Sequence, residues 1–265
     1  MVERGGESMR TSEGVDLSQA LQRARREELF ESLREIYDSF PETECENCAR
    51  CCFESPGLFF IEYLHLVDQI ARWPGPRREL LVRRALEELF FSWIEADRPC
   101  LFLEDSRCTR YEWRPLACRL FGLVAPADPV QAEAEARLGA RQEARRLKLL
   151  GIEVPEAIVE RSLASCDRVR DRDGNPARVD GDAVAARVGR LDEALLPRQV
   201  VVEEFCFRSL PERLGTAMLG GEAIEMMRIQ FLRRAQRGEA VEDLVEVIRK
   251  QVQLPPALGG KKGGR

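Results

Sequence analysis

Apolar residues recur at three- and four-residue steps along much of the chain, which is the period of a helix that buries one face. The first such stretch runs from Leu17 to Phe40 and stops at Pro41. Later stretches, one of them rich in alanine and laced with charges, predict helices over residues 59–73, 77–95, 130–150, 155–169, 182–196, 222–237 and 241–252. We therefore expect most of the chain to be helical.

The helical pattern breaks between residues 98 and 123. Cys100 and Cys108 stand at the two ends of a segment centred on the turn-forming pair Asp105-Ser106, which predicts a small β-hairpin. Pro115 then suits the first position of a short helix. Residues 199–207 fit either a strand or a helix, because their three consecutive valines are flanked by glutamates. The predicted fold class is mainly α, with at most a small β-hairpin.

Length and charge exclude several classes of protein. A chain of 265 residues can bury an ordinary apolar core, so it does not need disulfides to fold. The net charge of −5, with acidic residues interleaved among the arginines, argues against nucleic acid as a partner. The first 14 residues are polar, and no apolar run approaches the roughly 18 residues that cross a bilayer. We expect a cytoplasmic protein without a membrane partner, whose thiols stay reduced.

Seven of the nine cysteines lie between residues 45 and 118. Four of them form the pattern Cys45-x-x-Cys48-x-x-Cys51-Cys52, and the others are Cys100, Cys108 and Cys118. On a helix the first four sulfurs would share one face, and in a loop the C-x-x-C spacing still lets two thiols reach one ion. Four cysteines within eight mostly polar residues are not a core pattern. The spacing therefore predicts metal binding by thiolates.

The number of thiols exceeds the needs of one simple site. A tetrahedral zinc or a cubane cluster takes four thiolates, so seven clustered cysteines predict two sites or one polynuclear site. Cys166 would bring the number of ligands to eight. Neighbouring Cys51 and Cys52 do not easily bind one ion with relaxed geometry, so they are expected to serve two metals or to bridge a cluster. Cys206, between two phenylalanines, is expected to be a buried structural thiol.

The same segment resembles a known family. The cysteine pattern from Cys45 to Cys52 is followed by Cys100-Leu-Phe-Leu, Cys108-Thr-x-Tyr and Arg114-Pro-x-x-Cys118-Arg119. This order is similar to that of the YkgJ-type cysteine-cluster family, bacterial proteins described as zinc- or iron-chelating. The resemblance covers residues 45–123, under a third of the chain. Many members have Cys-Pro-Phe-Leu where this chain has Leu101, a departure that should alter the turn and not the thiol. Members often have one further cysteine downstream, which Cys166 matches.

Two arginines of the motif are candidates for holding the inorganic group. The guanidinium groups of Arg114 and Arg119 would donate to thiolate sulfurs and offset the negative charge of the site. The alternative is a surface ion pair with Glu112 or Glu104. Aromatic residues next to these arginines are expected to shield the site by packing, and the single histidine, His65, is not expected to be a ligand.

These observations predict a helical domain around an irregular, cysteine-rich metal-binding core. We divide the chain into a flexible tail, a cysteine-cluster metal-binding domain, a helical C-terminal region packed on it and a second flexible tail, over residues 1–16, 17–125, 126–254 and 255–265. The cofactor is expected to be zinc or an iron–sulfur cluster, and the protein would serve metal handling, redox chemistry or a protein partner.

An enzymatic function is left open by the sequence. A related cysteine motif occurs in flagellin lysine methylases, so the alternative is an iron–sulfur-dependent enzyme related to protein lysine methylases. The chain has no strand–glycine–helix unit for S-adenosylmethionine and none of the common catalytic signatures. Disulfide exchange through Cys51 and Cys52 is the least favoured function, because a disulfide between neighbouring cysteines is strained.

Overall fold

The computed structural model of the protein describes residues 16–44, 48–53, 55–96, 98–124, 129–161, 166, 168–175, 177–196, 208–251 and 258. Several predictions therefore fall outside the described residues. They concern Cys45, Cys206, the ambiguous stretch 199–207 and nearly all of the two tails.

The described part of the chain is mainly helical, as predicted. Its α-helices are α1 (Leu17–Arg26), α2 (Leu29–Asp38), α3 (Phe60–Ala71), α4 (Gly75–Phe91), α5 (Leu116–Leu120), α6 (Pro129–Leu149), α7 (Glu156–Val159), α8 (Gly181–Leu195), α9 (Leu210–Leu219), α10 (Gly221–Gln236) and α11 (Glu242–Gln251). Its strands are β1 (Thr43–Glu44), β2 (Leu103–Glu104), β3 (Arg107–Cys108) and β4 (Arg170–Asp171). Within this part of the chain, no helix combines the length and the apolar character needed to cross a membrane.

The strands form two antiparallel pairs. In the hairpin β2–β3, Leu103 lies opposite Cys108, and the connecting residues Asp105 and Ser106 have φ angles of 48° and 59°. Two successive positive φ values are typical of the tight turns that join hairpin strands, so the predicted hairpin is confirmed. The second pair, β1–β4, aligns Thr43 with Asp171 and was not predicted.

Two helices replace the single helix predicted from Leu17 to Phe40, so that prediction was wrong. The chain breaks at Glu28, whose φ of 53° lies in the left-handed region. This turn lets α1 and α2 each pack against both α3 and α8. Packing therefore overrides a periodicity that carries no glycine or proline at the break.

The helix predicted over residues 155–169 was also wrong. Among the described residues of this stretch only those of α7 are helical, and Val169 precedes strand β4. β4 pairs with β1, so this segment is extended where it meets the beginning of the cysteine-rich region. Helix α9 was missed, although Ser209 and Glu212 form a capping box at its start and Pro211 follows, which is a recognisable signal.

Buried side chains form two large clusters. The first is built mainly from α1, α2, α3 and α8, and it includes Leu101, Phe102 and Leu116 from the region around the hairpin. The second joins α4 to α10 and α11 and includes Leu147 and Ile152. Helix α9 contributes Leu210 and Leu214 to the first cluster, and it packs along α4.

The start of α3 is fixed from a distant part of the chain. The carboxylate of Asp192, on α8, accepts hydrogen bonds from the backbone N–H groups of Phe60 and Ile61, both at 2.7 Å. Asp192 is fully buried. An anion at this end satisfies free N–H groups and complements the helix dipole, so α8 holds α3 in place.

Candidate metal centre

In the described part of the first cysteine segment, residues 48–53, the chain forms a 3₁₀ turn at Arg50–Phe53. Ala49 has a φ of 59°, and its carbonyl accepts a hydrogen bond from the N–H of Cys52 at 2.8 Å. The carbonyl of Cys52 in turn accepts from the N–H of Cys100 at 2.6 Å. The backbone itself therefore joins the first cysteine segment to the second.

Cys118 is positioned by the short helix α5, which begins after Pro115 as the sequence predicts. The N–H of Leu116 donates to Oε1 of Glu62 at 2.5 Å, and the hydroxyl of Tyr37 donates to the same oxygen. Burial raises the pKa of Glu62 to about 6, against the hydrogen bonds that lower it. Glu62 thereby attaches α5, and with it Cys118, to α3.

Cys166 reaches the site through a close contact with Gly122, which follows α5 and has a φ of +84°. A Cβ at this position would lie 2.6 Å from Cγ2 of Val169 and 3.2 Å from Cβ of Cys166. Only glycine tolerates both the conformation and the approach. The downstream cysteine is thus brought to the other three segments.

The seven cysteines that the structure describes all line one cleft: Cys48, Cys51, Cys52, Cys100, Cys108, Cys118 and Cys166. Cys48 is exposed and the other six are partly buried. Among the described lining residues there is no aspartate, glutamate or histidine, and the charged ones are Arg110, Arg114 and Arg119. His65 lies elsewhere, with its ring centroid 5.3 Å from that of Phe30.

Neighbouring Cys51 and Cys52 have their sulfurs 3.9 Å apart. Two ligands of a tetrahedral zinc with bonds of roughly 2.3 Å are separated by about 3.8 Å. Across the whole cleft, however, no three described Cys, His, Asp or Glu residues form a group that could hold one ion as they stand. The donor set therefore fits a thiolate-bound metal in chemistry, and its side chains must draw together to bind one.

Burial makes these thiols poor acids in the absence of a cation. It raises the pKa of Cys100 to about 11 and also raises the pKa values of Cys108 and Cys118. The pKa of Cys52 is raised first by its hydrogen bond with Cys51 and then by burial. Negative charge on a neighbouring sulfur adds to each of these shifts, so the thiols are close enough to repel one another once ionised.

The three arginines that line the cleft are held by different contacts. Arg119 donates from Nε to the carbonyl of Arg114 at 2.9 Å and from Nη2 to the carbonyl of Glu112, so it holds the turn before α5. Arg114 lies over the ring of Tyr111, 3.9 Å from its centroid. Arg110 is stacked on two tryptophans and was not singled out from the sequence. Among the described residues, none of the three forms a salt bridge with Glu104 or Glu112.

Other positioning residues were also missed by the sequence reasoning. Glu62 and Asp192 act across 54 and 131 to 132 residues of chain, respectively, so no local pattern marks them. Arg110 did carry a signal, because it lies between Cys108 and Tyr111, two residues of the motif.

Fold and cleft together define a helical cysteine-cluster domain. Residues 44–142 match the family model CxxCxxCC, described as a "putative zinc- or iron-chelating domain". The match covers the cysteine-rich segment, so the resemblance found in the sequence is confirmed there. No curated protein and no solved structure matches the chain.

Proposed function

We propose that this protein binds zinc or an iron–sulfur cluster through its clustered thiolates. The observation that carries the proposal is the meeting of seven cysteines, from separate parts of the chain, in one cleft. Thiolates are soft ligands that favour zinc, copper(I) and iron–sulfur clusters over magnesium or calcium. The absence of carboxylates among the described lining residues supports the same preference.

The proposed ligands are Cys45, Cys48, Cys51, Cys52, Cys100, Cys108, Cys118 and Cys166. Positive charge on Arg114 favours the ionised form of Cys108, because it opposes the rise in the pKa of that thiol. Arg119 is proposed to act by fixing the backbone before Cys118. Bound metal would replace the protons of these thiols and remove the mutual repulsion of the sulfurs.

Size and chemistry of the cleft favour chelation over catalysis. Its volume is about 110 Å³, below the roughly 300–1,000 Å³ of sites that enclose drug-sized ligands. Among the described lining residues, no carboxylate or imidazole is available as a general base. We therefore propose a role in metal handling or as a metal-stabilised module for a protein partner, in the reducing cytoplasm.

Analysis of anaerobically purified protein tests the proposal. Iron with acid-labile sulfide and a brown colour would identify a cluster, and colourless protein with stoichiometric zinc would identify a zinc site. We expect C48S and C118S to lose metal and to melt at lower temperature, because ligand loss uncouples metal binding from folding. C206S is the control and should keep its metal. Retention of metal by every cysteine variant would reject the site.

A further inference from the structure

Arg110 and Arg114 carry guanidinium groups that line the cleft. Among the described residues, neither side chain forms a salt bridge, and the Nε atom of each is shielded from water and has no hydrogen-bond acceptor. Leaving a buried donor unsatisfied costs on the order of 1–3 kcal/mol. Arg119, on the same wall, shows the contrast, because backbone carbonyls accept from its guanidinium.

Aromatic rings hold both groups in fixed planes. The Cζ atom of Arg110 lies 4.2 Å from the ring centroid of Trp73 and 5.1 Å from that of Trp113. Arg114 lies 3.9 Å from the centroid of Tyr111. Stacking on a ring uses the flat face of a guanidinium group. The N–H donors at the edge of the group stay available to bind an anion in the plane of the guanidinium.

Both arginines also line the same cleft as the thiol of Cys108. No aspartate or glutamate is among the described lining residues, so the arginines bring positive charge to this cleft without a carboxylate in its lining. An oxyanion bound to Arg110 and Arg114 would balance that charge.

We propose that Arg110 and Arg114 form a binding subsite for a small oxyanion, a carboxylate or a phosphate group, next to the thiolates. The proposal rests on the proposed function in one respect, namely that the anion would lie beside a bound metal and be able to complete its coordination. Paired guanidinium groups bind such oxyanions through parallel N–H donors. A cleft of about 110 Å³ must also hold the metal, so the ligand is compact.

Calorimetric titration of metal-loaded protein tests the subsite, with sodium succinate and inorganic phosphate as separate probes. We expect one of them to bind the wild type, and R110Q/R114Q to bind it at least tenfold more weakly when the two proteins are compared at equal metal occupancy. R107Q is the matched control, because Arg107 lies three residues before Arg110 but is exposed and does not line the cleft. Its affinity for the anion should remain within twofold of the wild type.

Different results separate this proposal from the proposed function. If the wild type holds metal but binds neither probe, the subsite is wrong and metal binding stands. The same conclusion follows if R110Q/R114Q binds the anion as tightly as the wild type at equal metal occupancy, because the two arginines would then not hold the anion. If metal-free wild type binds an anion and the variant does not, the subsite stands and the metal is in question. If the double variant fails to fold, the subsite is tested by the wild-type titration and by R114K. This variant keeps the positive charge of residue 114 but lacks the planar guanidinium group.

Discussion

Gly122 is the residue on which the approach of Cys166 to the other cysteines depends. Its φ of +84° is strained for any residue with a Cβ, and Val169 and Cys166 occupy the space that a methyl group would need. We expect G122A to lower the free energy of unfolding by roughly 2–4 kcal/mol, from left-handed strain and from overpacking together. Chemical denaturation of protein with defined metal content measures the effect.

Gly151 offers a matched control for this substitution. It has a φ of +76°, close to that of Gly122, but nothing lies within 4 Å of the position of its missing Cβ. G151A should therefore show only the conformational cost, about 1–2 kcal/mol. Equal destabilisation by the two variants would mean that the contact with Cys166 and Val169 does not constrain Gly122.

Some of the residues that shape the cleft could be recognised from the sequence, and others could not. The cysteines could be proposed as ligands from the sequence because thiol chelation favours a recognisable local spacing, and the described ones line a common cleft. Glu62 and Asp192 were not identifiable, because a buried carboxylate that caps a distant helix looks like any surface acid in a helical stretch. Their partners are chosen by tertiary packing, which periodicity does not encode.

Among the elements, the break between α1 and α2 is set by packing and not by local preference. Glu28 adopts a left-handed conformation, and no side-chain hydrogen bond caps α2 at this position. Its side chain is exposed, so replacing it removes little contact. We expect E28G to raise the free energy of unfolding by about 1 kcal/mol, because glycine adopts this φ without steric cost. Thermal and urea unfolding measure the gain.

The preceding residue supplies the control for E28G. Glu27 has a φ of −92°, which any residue adopts, and it forms an ion pair with Arg23. E27G should therefore lower stability, since glycine adds only flexibility to the unfolded chain. If both glycine variants destabilise the protein, Glu28 is not strained.

Helices with strong periodicity were predicted to within a few residues, as α3, α6, α8 and α10 show. The wrong predictions at residues 17–40 and 155–169 share one cause. The chain turns at Glu28, and it extends at β4, where contacts with remote segments outweigh helical preference. Local sequence therefore predicted which stretches are helical better than it predicted where the helices stop.

At the scale of the whole molecule, the two buried clusters stand in different relations to the cleft. Leu58, Leu66, Leu101, Phe102 and Leu210 belong to the first cluster and line the cleft, whereas no residue of the second cluster does. Metal bound by the thiolates would thus be linked directly to the packing of the first cluster. The second cluster, around α10 and α11, has its own buried contacts.

Removal of the metal should consequently loosen one part of the molecule more than the other. We expect a chelator to increase amide hydrogen exchange at least tenfold in residues 48–53, 100–108 and 116–120, because the thiolates join these segments through the metal. Exchange in α10 and α11 should change less than threefold, and this region is the internal control. Mass-spectrometric exchange on metal-loaded and chelated protein makes the comparison. A uniform increase along the chain would mean that the metal stabilises the whole fold cooperatively, and unchanged exchange in the cysteine segments would mean that they hold no metal.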